Sequence, residues 1–234
     1  MVTNRFLSSA VGKSSRDGFT LVELLVVIGI IAILAGVALG PITNGIKQAK
    51  HNASMQTGRQ IGQMCFSYST DNVQNGNAYP SDTNGAAIAS DLINSNYCTD
   101  PSVFLVSGQT GTALYTMPAA GTAAALATSN MSWSVTCNTI TTTTGGITSA
   151  ASDLTPLVFF NNGPGVALTA TIHASAGVPG ALTLTAACPF TTDGIAVFYK
   201  GNNAVYIKAI ANVLPVGSFV STNDTDIATY NVAP

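Results

Sequence analysis

The chain is short of charge. Only 8% of its 234 residues are Asp, Glu, Lys or Arg, against about a quarter in an ordinary soluble domain. The charges present are segregated. Residues 1–70 hold six Lys/Arg and two Asp/Glu, whereas residues 71–234 hold Lys200 and Lys208 against eight aspartates, with no Arg and no Glu. A C-terminal region with two lysines against eight aspartates, net −6, repels a phosphate backbone, so nucleic acid is not an expected partner. Histidine is almost missing, with only His51 and His173; His51 reads as a solvated helix residue. No Gly-x-Ser-x-Gly elbow, phosphate loop or His-Glu-x-x-His helix occurs, and no enzyme activity is expected. Trp133 is the single tryptophan, and the tyrosines form no stacking ladder along the sequence.

Cysteine is sparse. Cys65, Cys98, Cys137 and Cys188 are the only four, and no two are separated by a short metal-ligand interval, which argues against zinc. In an oxidising compartment they are disulfide candidates. Four cysteines allow three complete pairings, and spacing does not choose among them. Buried free thiols are the alternative.

What the chain does have is one long apolar run. Phe19 to Leu39 is 21 residues with Glu23 as its only charge. At about 1.5 Å per residue the run is roughly 30 Å long, the thickness of a bilayer core. Two ordinary explanations apply, a single-pass anchor or a secretory signal peptide cut near Gly36-Val37-Ala38. A lipoprotein signal fails, because no cysteine follows Leu34-Ala35-Gly36. Neither ordinary explanation accounts for Glu23, since an ionisable group at the centre of a membrane helix costs about 2.5 kcal/mol or more. Arg5, Lys13 and Arg16 outnumber Asp17 ahead of the run. Basic flanks stay cytoplasmic, so the N-terminus is expected inside and everything after Leu39 outside.

The string GFTLVELLVVIGIIAILAG, residues 18–36, resembles the N-terminal signal of type IV pilins and type II secretion pseudopilins. The resemblance implies that a prepilin peptidase cuts between Gly18 and Phe19 and methylates the new amine, giving N-methylphenylalanine. It also implies that Glu23 is the signature glutamate of assembly, pairing with the terminal amine of Phe19 in a neighbouring copy. The partners implied are further copies of the chain in a helical filament, the peptidase, the membrane before assembly, and an inner-membrane platform with its cytoplasmic ATPase. The precursor would sit in the bacterial inner membrane, and the product would be an extracellular pilus or a periplasmic pseudopilus. A monomeric, membrane-tethered adhesin is the remaining alternative.

Beyond the run, Gly36, Gly40 and Pro41 mark a candidate kink, because proline removes a backbone donor and clashes with the preceding turn. Ile42, Ile46, Ala49 and Ala53, then Ile61, Met64, Cys65 and Tyr68, continue a helical apolar stripe. One helix from about Thr20 to about Thr70 follows, ending in the turn formers of residues 71–77. A short helix is expected over 87–97. The Tyr79-Pro80 pair and the stretch Asp100-Pro101-Ser102-Val103-Phe104 loosely resemble segments that follow the long helix in the major pseudopilin type.

Strands are expected over 103–107, 113–117, 131–137, 157–160, 166–173, 181–186, 195–200 and 204–210, the last two joined by a turn at Gly201-Asn202-Asn203. Residues 119–127 and 139–146 read as loops. The expected fold class is α+β, a long kinked pilin-like N-terminal helix with an antiparallel β-rich head. The divisions are a leader over 1–18, a membrane or filament-core half-helix over 19–40, an amphipathic half-helix over 41–70 and an extracellular head over 71–234. No cofactor is expected, with calcium at Asp224 and Asp226 as the one candidate and a solvated loop as its alternative. Asn52, Asn130 and Asn223 begin glycosylation patterns, and residues 141–144 are a threonine run.

Overall fold

A computed structural model describes residues 18–72, 78–82, 84–106, 108–137, 147, 151–161, 163, 182–190, 192–215 and 231–233. The chain divides into two compact units, one ending at Lys47 and one beginning at Gln48.

Helix α1 runs from Leu21 to Asp71 without interruption, with Pro41 inside it. The segment Gly36–Pro41 is therefore helical here. Pro41 has no N–H to give the preceding turn, and Thr43 Oγ1 donates to the Gly40 carbonyl at 2.9 Å. In the first unit every described residue is exposed. Among the described residues α1 is the one helix long and apolar enough to cross a membrane.

The second unit begins within α1, and its core explains why the pattern of the helix changes. Ser54, Gly58, Ile61, Gly62, Cys65 and Ser69 form its buried face, at the three- and four-residue spacing that lines one side of a helix. That face is unusually small. Glycine at 58 lets the Trp133 ring approach so closely that an added Cβ would stand 3.1 Å from it. At Gly62 the Phe198 ring comes closer still.

Opposite this face lies a five-stranded, wholly antiparallel sheet. Its strands are β1 (Trp133–Cys137), β2 (Pro156–Phe160), β4 (Gly194–Tyr199), β5 (Asn203–Lys208) and β7 (Asn231–Ala233), in the order β5-β4-β2-β1-β7. β3 (Leu182–Thr183) and β6 (Val213–Leu214) pair separately. β2 lies in the middle and is buried at all five positions, so Leu157, Val158, Phe159 and Phe160 form a continuous apolar run rather than an alternation. The β4–β5 hairpin is in register from Gly194↔Lys208 to Tyr199↔Asn203. Asn202 takes the positive φ of 61° its turn needs, a conformation asparagine tolerates.

Helix α2 (Gly85–Asn94) starts where Asn84 Oδ1 accepts from the Ala87 N–H at 2.8 Å. It ends at Asn94, earlier than the expected residue 97, because Asn96 turns left-handed at φ 62° and the N–H of Tyr97 closes back on the Leu92 carbonyl at 2.9 Å.

Two expected strands are corrected. Residues 101–104 form a short 3-10 turn, not the start of a strand. Asp100 Oδ1 caps it through the Ser102 N–H at 2.9 Å, and Pro101 occupies the first helical position, where its missing donor costs nothing. Residues 113–117 join no ladder. Ala113 is bonded to a nearby turn instead: its N–H donates to the Ser129 carbonyl at 2.8 Å, and its carbonyl accepts from Asn130 Nδ2 at 2.7 Å. Such bonds satisfy backbone that would otherwise need a partner strand. The expected strand over 166–173 and the loop over 139–146 lie outside the described residues.

Candidate functional site: the exposed N-terminus of the long helix

Gly18, Phe19 and Thr20 precede α1 and are exposed. Thr20 is placed to start the helix. Its Oγ1 accepts from the Glu23 N–H at 3.2 Å. Glu23 Oε2 reaches back to accept both the Thr20 N–H, at 2.9 Å, and the Thr20 hydroxyl, at 2.9 Å. This is a reciprocal capping box, in which the residue before the helix and the third residue inside it satisfy each other's orphan donors. A carboxylate in the first turn also sits at the positive end of the helix dipole. Glu23 is therefore already held, within its own chain, by Thr20. All three bonds use Oε2 or the backbone, and Oε1 takes no part in the box.

The role of Thr20 escaped the sequence reading. The signal for it was present, since Thr20-Leu21-Val22-Glu23 ahead of an apolar run is the Thr-x-x-Glu spacing of a capping box.

From this cap onward α1 displays an unbroken apolar surface. Leu21, Leu25, Ile33, Leu39, Ile42 and Ile46 are each more than half exposed. Gly36 and Gly40 have nothing within 4 Å of where a Cβ would stand. A surface like this has no partner within the first unit.

The other site residues stand apart. Cys65, Cys98 and Cys188 are free, buried thiols. Burial pushes the Cys65 and Cys188 thiols up to about 12 each. Burial also raises Cys98. These are inert groups, as thiolates buried in apolar surroundings are disfavoured. The Cys137 side chain lies outside the described residues, as do Asp224 and Asp226. His51, expected in solvent, is half-buried and stacks on Tyr206 with ring centroids 3.7 Å apart, because β5 passes beneath this turn of α1. No group of three or more His, Cys, Asp or Glu able to hold a metal occurs among the described residues.

Residues 13–39 match the prokaryotic N-terminal methylation motif. No curated protein and no solved structure matches the chain. The chain thus carries the prepilin-type cleavage and methylation signal of type IV pilins and pseudopilins at the head of an α+β, pilin-like layout. The motif supports a type IV pilin-like or pseudopilin subunit and implies processing by prepilin peptidase, and the helix that follows it is long and apolar enough to cross a membrane.

Proposed function

We propose that this protein is a structural subunit of a type IV pilus-like extracellular filament. Cleavage after Gly18 frees the Phe19 amine, which keeps its positive charge after methylation. Glu23 Oε1 accepts that amine from a neighbouring copy while Oε2 continues to cap its own helix. In a low-dielectric bundle this pairing is worth far more than in water, and a subunit entering out of register leaves a bare charge in oil. The pair therefore acts as a register device rather than as glue. The remaining cohesion comes from close helix packing in place of lipid.

The observation that carries this reading is the fully exposed helix from Leu21 to Lys47, apolar through Leu39, with one carboxylate organised at its very start. A globular monomer in water does not leave an apolar surface of this length uncovered. A secretion pseudopilin is the second reading, favoured by Tyr79-Pro80 and by the Asp100-Pro101 turn that buries Phe104.

The test is mass spectrometry of the purified protein's N-terminus combined with electron microscopy of material sheared from cells. Expected are a chain beginning at methylated Phe19, long surface filaments, and a Glu23→Val variant that is processed but leaves few filaments. Filaments confined to the periplasm would favour the pseudopilin. A solitary chain retaining residues 1–18, or one cut near Ala38, overturns both, as does normal assembly of Glu23→Val.

A further inference from the structure

One edge of the five-stranded sheet is open. β4 lies on one side of β5, and no described strand lies on the other. The Ala209 N–H donates to the Asp193 carbonyl at 2.9 Å. With Gly194 opposite Lys208, residues 193 and 209 are a hydrogen-bonded pair. Bonded and non-bonded pairs alternate along an antiparallel ladder. Ala204, Tyr206 and Lys208 therefore direct their backbone N–H and carbonyl groups away from β4. Edges of this kind are usually blunted by charge, proline or a covering element, because they are templates for another strand. From Asn203 to Ile207, β5 has no charge and no proline.

The same chain carries a segment that lacks a ladder. Residues 112–119 take no helix, turn or strand pairing, and Leu114 and Met117 within them are 68% and 43% exposed. Among the described residues no backbone–backbone hydrogen bond engages 114–117. Tyr115 and Thr116 favour strands, and Pro118 limits the stretch. Residues 101–152 hold no Asp, Glu, Lys or Arg, so no charge opposes pairing with a second uncharged strand.

One copy does not bring the two together. The bonds from Ala113 to Ser129 and Asn130 hold the segment just ahead of β1. β1 stands three strand spacings from β5, about 14 Å. Donor and acceptor therefore lie toward opposite edges of one sheet. A contact between such unlike surfaces is head-to-tail, so it repeats along a fibre where its rotation does not close a ring.

We propose that residues 114–117 of one copy add as a sixth strand to the outer edge of β5 in a second copy. Main-chain hydrogen bonds to Ala204, Tyr206 and Lys208 supply the affinity, as in other strand additions. The inference rests on the filament reading and adds to it a contact between the second units that is independent of Glu23.

The test uses the full-length protein in cells, with a photo-crosslinking benzophenone side chain placed at Leu114. Illumination should give dimers and higher multimers in isolated membranes and in sheared filaments, and peptide mass spectrometry should map the link to residues 203–208 of a second copy. Ala204→Pro removes one outward N–H and leaves the β4 ladder intact, since proline is tolerated where an edge strand faces away from its neighbour. It should abolish this link and cut filament yield about tenfold, with processing to Phe19 and the near-ultraviolet circular dichroism unchanged. If Ala204→Pro fails to fold, the link in the protein with an unaltered edge still decides. Links that map elsewhere on the chain or to another protein, or normal filament yield from folded Ala204→Pro, overturn this contact and leave the filament reading standing. Membranes that give the link to 203–208 while cells make no filaments sink the filament reading and leave the contact standing.

Discussion

Replacing Gly62 with alanine should loosen the join between α1 and the sheet. A Cβ at Gly62 would stand 2.0 Å from Phe198 Cε1 and 2.1 Å from its Cδ1, where an ordinary carbon contact is about 3.5–4.0 Å. The ring would have to retreat by about 1.5 Å to regain that distance. Phe198 has little freedom to do so. It is buried, and its backbone is fixed between Val158 of β2 and Ala204 of β5. Overpacking of this kind costs about 1–3 kcal/mol. Alanine returns about 1 kcal/mol through its better helix propensity. The net loss is about 0–2 kcal/mol, a fall in Tm of up to about 8 °C for a unit of this size. The assay is thermal melting of the detergent-solubilised protein followed by near-ultraviolet circular dichroism, which reports Trp133 and the tyrosines around the core. Gly45→Ala is the control, because nothing lies within 4 Å of its Cβ position, and it should not lower Tm. Gly62→Ala with Phe198→Leu should recover part of the loss, since the smaller side chain makes room. If Gly62→Ala melts at or above the Gly45→Ala control, which carries the same gain in helix propensity, the close approach of helix and β4 is wrong as described.

Three other outcomes follow from the same structure. Asp91→Asn should stabilise the second unit at neutral pH. Burial and Asp82 raise its folded pKa above the ordinary 3.8, so the ionised form opposes folding. That part of the stability is present below 3.8 and lost as pH rises through the raised folded value. The gain from the substitution should therefore vanish in melts run below the ordinary carboxylate range. Lys200→Ala should cost about 1–3 kcal/mol in denaturant unfolding, because Lys200 Nζ donates to the Ala151 carbonyl at 2.8 Å and to Asp153 Oδ1 at 3.3 Å while its side chain is only 10% exposed. Asp153→Asn should cost far less, since the Asp153 side chain is 79% exposed and surface ion pairs contribute little. Cys65 and Cys188, buried and pushed up to about 12, should resist alkylation in the native protein and react at once in denaturant. Rapid labelling of either in the folded state would contradict their burial.

Much of the layout was readable along the chain. The long helix, expected over about 20–70, is observed over Leu21–Asp71, because its apolar stripe and its closing turn formers are local signals. The β4–β5 hairpin fell within a residue or two of its expected limits for the same reason, with Gly201 and Asn202 marking the turn. Strands were misread where polar local chemistry replaced a ladder. Asp100-Pro101 was legible as a helix start but was passed over for the apolar Val103 and Phe104 that follow. Residues 113–117 looked like a strand, but Ser129 and the Asn130 side chain give Ala113 the partners that a neighbouring strand would supply. The short β7 was not foreseen, since three residues carry no periodicity and their pairing with β1 joins segments almost a hundred positions apart.

The sequence by itself determined the pattern at the N-terminus: the methylation motif at 13–39, a run long enough to span a bilayer, and one acid, Glu23, within it. These are matters of spacing along a single element, where neighbours in sequence are neighbours in space. Only the tertiary structure decided that Glu23 is already engaged by Thr20 in a cap and that Gly58 and Gly62 admit Trp133 and Phe198 against the helix. Those relations depend on which distant segments pack together, and packing is set by the shapes of many side chains at once rather than by any local pattern.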